Sequence, residues 1–139
     1  MAVSEQLLRR AIELAAAARA GGNPPFGSLL VGADGAVLAE EQNTVLTDND
    51  ITAHPELKLA RWAAQELDAD TAAGTTLYTS CQPCPMCTGA IERSGLGRVV
   101  FALSNDQLAD LKPPAKPPVP QDGPALPDEA RIPVAGYYL

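Results

Sequence analysis

All three cysteines of the chain, Cys81, Cys84 and Cys87, fall within seven residues, and the single histidine, His54, stands about thirty residues before them. Cys84 and Cys87 are three apart, and Pro85 between them is a residue well tolerated at a first helical position. Two sulfurs at that spacing on a helix start lie on one face and can grip a single ion. An odd number of thiols crowded into one stretch does not build a disulfide framework. It suits a reducing compartment and a metal or catalytic role. His54 is likewise followed by a proline, Pro55, so a second helix start can present it as a third donor. Any fold for this chain then has to set two helix starts side by side.

The pattern around these segments is that of an α/β domain. Ser4 can cap a helix whose apolar positions Leu7, Leu8, Ala11, Ile12, Leu14, Ala15 and Ala18 recur at three- and four-residue spacing, with Gly21-Gly22 ending it. Residues 26–31 and 36–43 read as two antiparallel strands joined by the Asp34-Gly35 turn. A helix from Pro55 toward Leu67 is expected to bury Leu57, Ala60, Ala64 and Leu67. Residues 75–80 form a strand, Pro85 opens a helix ending near Gly95, and residues 98–103 form another strand, a unit that implies a parallel pair. Beyond it, residues 112–127 hold seven of the thirteen prolines, too many for a helix or a central strand. We expect one domain over residues 1–111. The extended segment 112–139 is either a solvated linker or a strap that packs on that domain near the site mouth or on a neighbouring subunit, and we expect it to pack, its apolar end docking as a final strand or a tail.

At 139 residues and 46% hydrophobic content the chain can bury a core as one domain. The formal net charge of −7 argues against a nucleic-acid partner, because phosphate neutralisation needs clustered Lys and Arg. The alanine-rich beginning is interrupted by Glu5, Arg9, Arg10, Glu13 and Arg19, so it offers neither a signal-peptide core nor a membrane span. A cytoplasmic protein with a small-molecule substrate and no membrane partner is expected.

Thr52-Ala53-His54-Pro55-Glu56 and Cys81-Gln82-Pro83-Cys84-Pro85-Met86-Cys87 read H-x-E and P-C-x-x-C, a pair that resembles the signature of zinc-dependent base deaminases. The chemistry suits the parts. Three protein ligands leave one tetrahedral position open to water, which separates a catalytic zinc from a closed structural one. Zinc lowers the pKa of that water toward ~7, and Glu56 is placed to move protons between water, ring and leaving amine. Two other readings use the same residues: a thioredoxin-like C-x-x-C, which explains neither His54 nor Glu56, and a closed site of His54, Cys81, Cys84 and Cys87. Cys81, at the end of a strand and before Pro83, is expected instead to be a small buried residue near the pocket.

The order and spacing of Asn23-Pro24-Pro25-Phe26-Gly27, the histidine motif, the cysteine motif, Gly89-Ala90-Ile91 and Gly97-Arg98-Val99-Val100 resemble the cytidine deaminase-like superfamily, in the branch of guanine and tRNA adenosine deaminases. The resemblance covers about residues 7–111. It implies a three-layer α/β/α sandwich around a mixed sheet of about five strands. It also implies Zn2+ on His54, Cys84 and Cys87, Glu56 as proton shuttle and Asn43 hydrogen-bonding the substrate base. Phe26, Gly27, Ser80 and Cys81 would line the pocket, with the Cys84 N–H stabilising the tetrahedral centre. Two positions depart from the family: Pro55 stands where alanine is common, and Gln82 where glutamate often is. The cysteine run and the acidic balance favour a free base such as guanine, an aminopyrimidine or a triazine. A cytidine-type nucleoside comes next and tRNA adenosine third. The alternative outside catalysis is a structural zinc module that binds a partner through its proline-rich segment. A homodimer is expected.

Overall fold

The computed structural model describes residues 2–139. Helix α1 (Glu5–Ala20) starts where Ser4 Oγ accepts the Leu7 N–H at 3.2 Å. Strands β1 (Gly27–Val31) and β2 (Val37–Gln42) form the hairpin expected around Asp34-Gly35, with Gly35 at φ +86° in the left-handed region that the turn demands. A single turn, α2 (Val45–Asp48), leads to α3 (Pro55–Glu66) and the short α4 (Ala69–Ala73). Strand β3 (Thr76–Cys81), α5 (Pro85–Ser94), β4 (Arg98–Leu103) and α6 (Asn105–Ala109) follow, and α7 (Pro127–Arg131) lies in the proline-rich segment.

The sheet runs β2-β1-β3-β4, antiparallel at the first two junctions and parallel between β3 and β4. Side chains alternate across it, so each strand feeds two layers. Leu29, Val31, Tyr78 and Val100 meet Ala11 of α1 on one side. Leu30 and Leu77 meet Leu59, Ala60 and Ala63 of α3 and Ile91 of α5 on the other. Each fully buried leucine contributes about 1.5–3 kcal/mol. The first layer lies very close to the sheet: a Cβ on Gly27 would come within 2.5 Å of the Ala11 carbonyl oxygen, the Ala15 nitrogen and Leu14 Cβ. Only glycine lets α1 rest on the start of β1.

The three-layer α/β/α class is as expected, but the sheet has four strands among the described residues and not five. No later segment continues it past β4. Residues 112–126 lack the regular N–H donors a ladder needs, and the chain after α7 closes into turns. All residues from 112 to 139 are exposed, with Lys112 at the edge of a pocket of the domain. Helix α3 is also rotated from the stripe anticipated for it: Glu56, Leu59, Ala60 and Ala63 are buried, whereas Ala64 is exposed and Leu57 and Leu67 are half-buried. The reason is Pro55 and Glu56, which turn inward and carry the face round with them.

Candidate active site

His54 and Cys84 are the N-cap residues of α3 and α5, each in an extended conformation and each followed by proline at the first helical position. Proline has no N–H to leave unsatisfied there and its ring fixes φ, so both helices start abruptly. The two helices pack side by side on one sheet face, which brings the two starts together. His54 Nδ1 lies 3.7 Å from Cys84 Sγ and 3.4 Å from Cys87 Sγ, the latter fully buried one turn into α5. The donor atoms of these three residues all lie within 4.8 Å of one another. Cys81 is not in the cluster; it lies half-buried on the adjoining pocket wall. The arrangement is therefore a three-donor set and not the closed four-donor one.

The donor chemistry fits a cation. Hydrogen bonds from the Cys87 thiol and from His54 drive the Cys84 thiol down to about 3, and the Cys87 proton, held between the two sulfurs and buried, is correspondingly hard to remove. Hydrogen bonding to Cys84 raises His54 above its ordinary value. Two sulfurs and an imidazole that share protons so closely are a donor set in which a divalent ion can take the protons' place. Cys81 behaves differently, burial pushing its thiol up.

Glu56 sits two residues into the same helix start, only 6% exposed. Burial lifts its carboxyl above the usual carboxylate range, partly offset by its own backbone N–H, His54 and Ser28. Beside it opens a pocket of about 120 Å³. Phe26 and Cys81 line this pocket, as expected for them, with His54, Glu56 and Cys84 among its walls.

Three other expected residues are not on its walls. The Gly27 N–H donates to Ser80 Oγ at 3.1 Å, so those two satisfy each other behind the wall. Asn43 is 1% exposed, and its Oδ1 accepts the Val45 N–H at 2.9 Å, leaving only its amide nitrogen to donate elsewhere.

The remaining wall comes from residues the motifs do not announce: Asn105 and Leu108 of α6, and Lys112. Helix α6 is held by the Ser104/Gln107 capping box, a pattern readable as S-x-x-Q, and by Gln82. Gln82 Oε1 accepts the Asn105 N–H at 2.9 Å. The neutral amide at this departure from the family pattern thus braces the pocket wall. At the opposite end, Lys58 Nζ donates to the Gln42 carbonyl and Thr44 Oγ1, tying α3 to the end of β2.

Residues 1–103 match the family described as the cytidine and deoxycytidylate deaminase zinc-binding region. The chain is 44% identical over 107 residues to the guanine deaminase of Bacillus subtilis (strain 168), covering 76% of this chain and 68% of that one. It is 36% identical over 151 aligned positions to the probable cytosine deaminase of Schizosaccharomyces pombe, covering 94% and 90%. The X-ray structure of guanine deaminase from Bacillus subtilis superposes with a TM-score of 0.75 at 35% identity, covering 92% of this chain and 89% of that one. The match along the domain and the histidine–thiol donor set at two helix starts lead to one conclusion: the chain belongs to the cytidine and deoxycytidylate deaminase family of zinc-dependent hydrolytic deaminases.

Proposed function

We propose that the protein hydrolyses the amino group from a free heteroaromatic base, with guanine the first candidate and related aminopyrimidines or triazines next. The observation that carries the reading is the placement of Glu56, buried beside the three-donor cluster yet outside it. Zinc bound by His54, Cys84 and Cys87 supplies Lewis-acid activation of water. Glu56 takes a proton from the attacking water as the C–O bond forms at the amino-bearing carbon, and passes it to the adjacent ring nitrogen. It takes the second proton to the amino group, whose C–N bond then breaks to release ammonia. The Cys84 N–H, at the start of α5, stabilises the developing charge. Phe26 and Leu108 offer apolar faces to a flat ring, while Asn43, set behind the wall, accepts the Val45 N–H and holds the turn after β2.

Guanine is placed first because of the likeness to the Bacillus subtilis enzyme and the net charge of −7, which disfavours a phosphate-rich substrate. The test is ammonia release by zinc-loaded protein from guanine, cytosine, cytidine and an adenosine-containing tRNA. Fastest release from guanine is expected. Preference for tRNA, with sub-micromolar binding that weakens steeply with salt, would reverse the ranking; no release from any of the four would favour a structural zinc module. A cytoplasmic setting accords with three cysteines kept free. Among the described residues no helix is long and apolar enough to cross a membrane.

We further propose that residues 112–139 cover a neighbouring subunit in a homodimer. Ile132, Val134, Tyr137, Tyr138 and Leu139 are all more than half exposed, a cluster of large apolar side chains that their own domain does not cover. The outer edge of β4 exposes Phe101 in turn. Truncation after Leu111 is expected to yield monomers with reduced activity, measured by light scattering and ammonia release. A truncated protein that is dimeric and fully active would show the segment to be a tail.

A further inference from the structure

Ser28 is fully buried in the middle of the sheet, in a strand whose next three residues are Leu29, Leu30 and Val31. A hydroxyl there is costly unless it has partners. It shares the face of Leu30, the face on which α3 packs, and stands opposite Thr79 of β3 in the ladder. Its Oγ lies 2.8 Å from Thr79 Oγ1 and 3.4 Å from Glu56 Oε1. Thr79 is itself 1% exposed, and its own proton faces the Cys81 carbonyl at 3.0 Å and, at the longer distance of 3.5 Å, the Gly27 carbonyl. The single proton of Ser28 therefore has two acceptors, and Thr79 cannot donate back without releasing Cys81.

Resting on the reading of Glu56 as proton carrier, we propose that Ser28 is a positioning residue for the Glu56 carboxyl. Its Oγ reaches Glu56 Oε1 from the sheet side. The pair Ser28–Thr79 forms a polar floor under an otherwise apolar layer, and that floor fixes the rotation of the carboxyl against the pocket. The 3.4 Å separation is long for O–H···O, and such bonds tighten when the reacting complex forms. Ser28 touches neither the pocket nor the donor cluster, so it acts only through Glu56.

The experiment compares Ser28→Ala and Ser28→Thr with the parent, as zinc-loaded full-length protein, in kcat, KM, zinc content and Tm. Ser28→Ala is expected to lose about 10-fold in kcat, the weight of one modest hydrogen bond to a charged group, with KM within about twofold and zinc unchanged. Ser28→Thr keeps the hydroxyl but adds a methyl group where no space is exposed. Its kcat is expected to stay within about threefold of the parent even if its Tm falls further than that of Ser28→Ala. In a Glu56→Gln background, Ser28→Ala should cost nothing more in kcat, because the group it positions is gone. Full kcat in Ser28→Ala, losses that follow Tm rather than the hydroxyl, or an undiminished 10-fold loss in the double variant would each overturn the proposal. Near-parent kcat in Glu56→Gln would instead overturn the reading of Glu56 itself, so the two failures are distinguishable.

Discussion

Glu56→Gln is expected to keep its zinc, its substrate affinity and its fold while turning over at least ~100-fold more slowly, the lower end of what a positioned acid–base group contributes. Carboxylate and amide are nearly the same size, so a side chain 6% exposed can be exchanged without opening a cavity. Ser28 can still donate to the amide oxygen. What is lost is a group that can carry a proton from water to ring nitrogen and then to the amine. A competing account makes Glu56 a first-turn acid that favours the helix dipole, worth about 0.3–1 kcal/mol of stability and nothing to turnover. Zinc content, Tm and ammonia release measured on both proteins separate the accounts. Near-parent turnover by a zinc-loaded variant would remove the proton carrier.

The second large effect is expected from the donors. Cys87→Ala should lose stoichiometric zinc and fall to background activity, because the fully buried sulfur is one of three donors and no other thiol lies within reach of the cluster. The loss also shows in stability. A ligand at about 1,000 times its Kd stabilises the folded state by about 4.1 kcal/mol, a gain on adding zinc that the parent should show and the variant should not. His54 and Cys84 variants should behave alike. Cys81→Ala is the contrast: with its sulfur outside the donor cluster it should keep about one zinc per chain. Zinc lost from Cys81→Ala would mean a four-donor site and no open position.

Much of this was readable in the chain. The Ser4 cap, the Asp34-Gly35 hairpin and the two prolines that open α3 and α5 are local signals with local causes, and each appears where its chemistry demands. The spacing of Cys84 and Cys87 points to one helix face and Pro55 to a second helix start carrying His54, and the three donors do come together. What escaped has long-range causes. The buried face of α3 lies one step of rotation from the stripe its periodicity indicates, because alanines lie on several sides of it and the periodicity is shallow. Ser28 carries no local signal of its role, since its partner Thr79 is fifty-one positions away in the chain. Asn105 and Leu108 reach the pocket only because β4 runs parallel to β3 and delivers the following helix beside Gln82. A fifth strand was expected from the resemblance, whereas the prolines that prevent it were visible all along.

The brace between Gln82 and Asn105 divides the labour of the pocket between two stretches of chain that answer to different demands. The metal donors and Glu56 belong to helix starts fixed by prolines and packed against the core. The facing wall belongs to a five-residue helix at the margin of the domain, whose side chains are half-buried or exposed and whose capping box makes it a self-contained unit. Residues 104–112 can therefore vary in shape and charge with little effect on the core. That wall is the part of the pocket least tied to the packing of the domain.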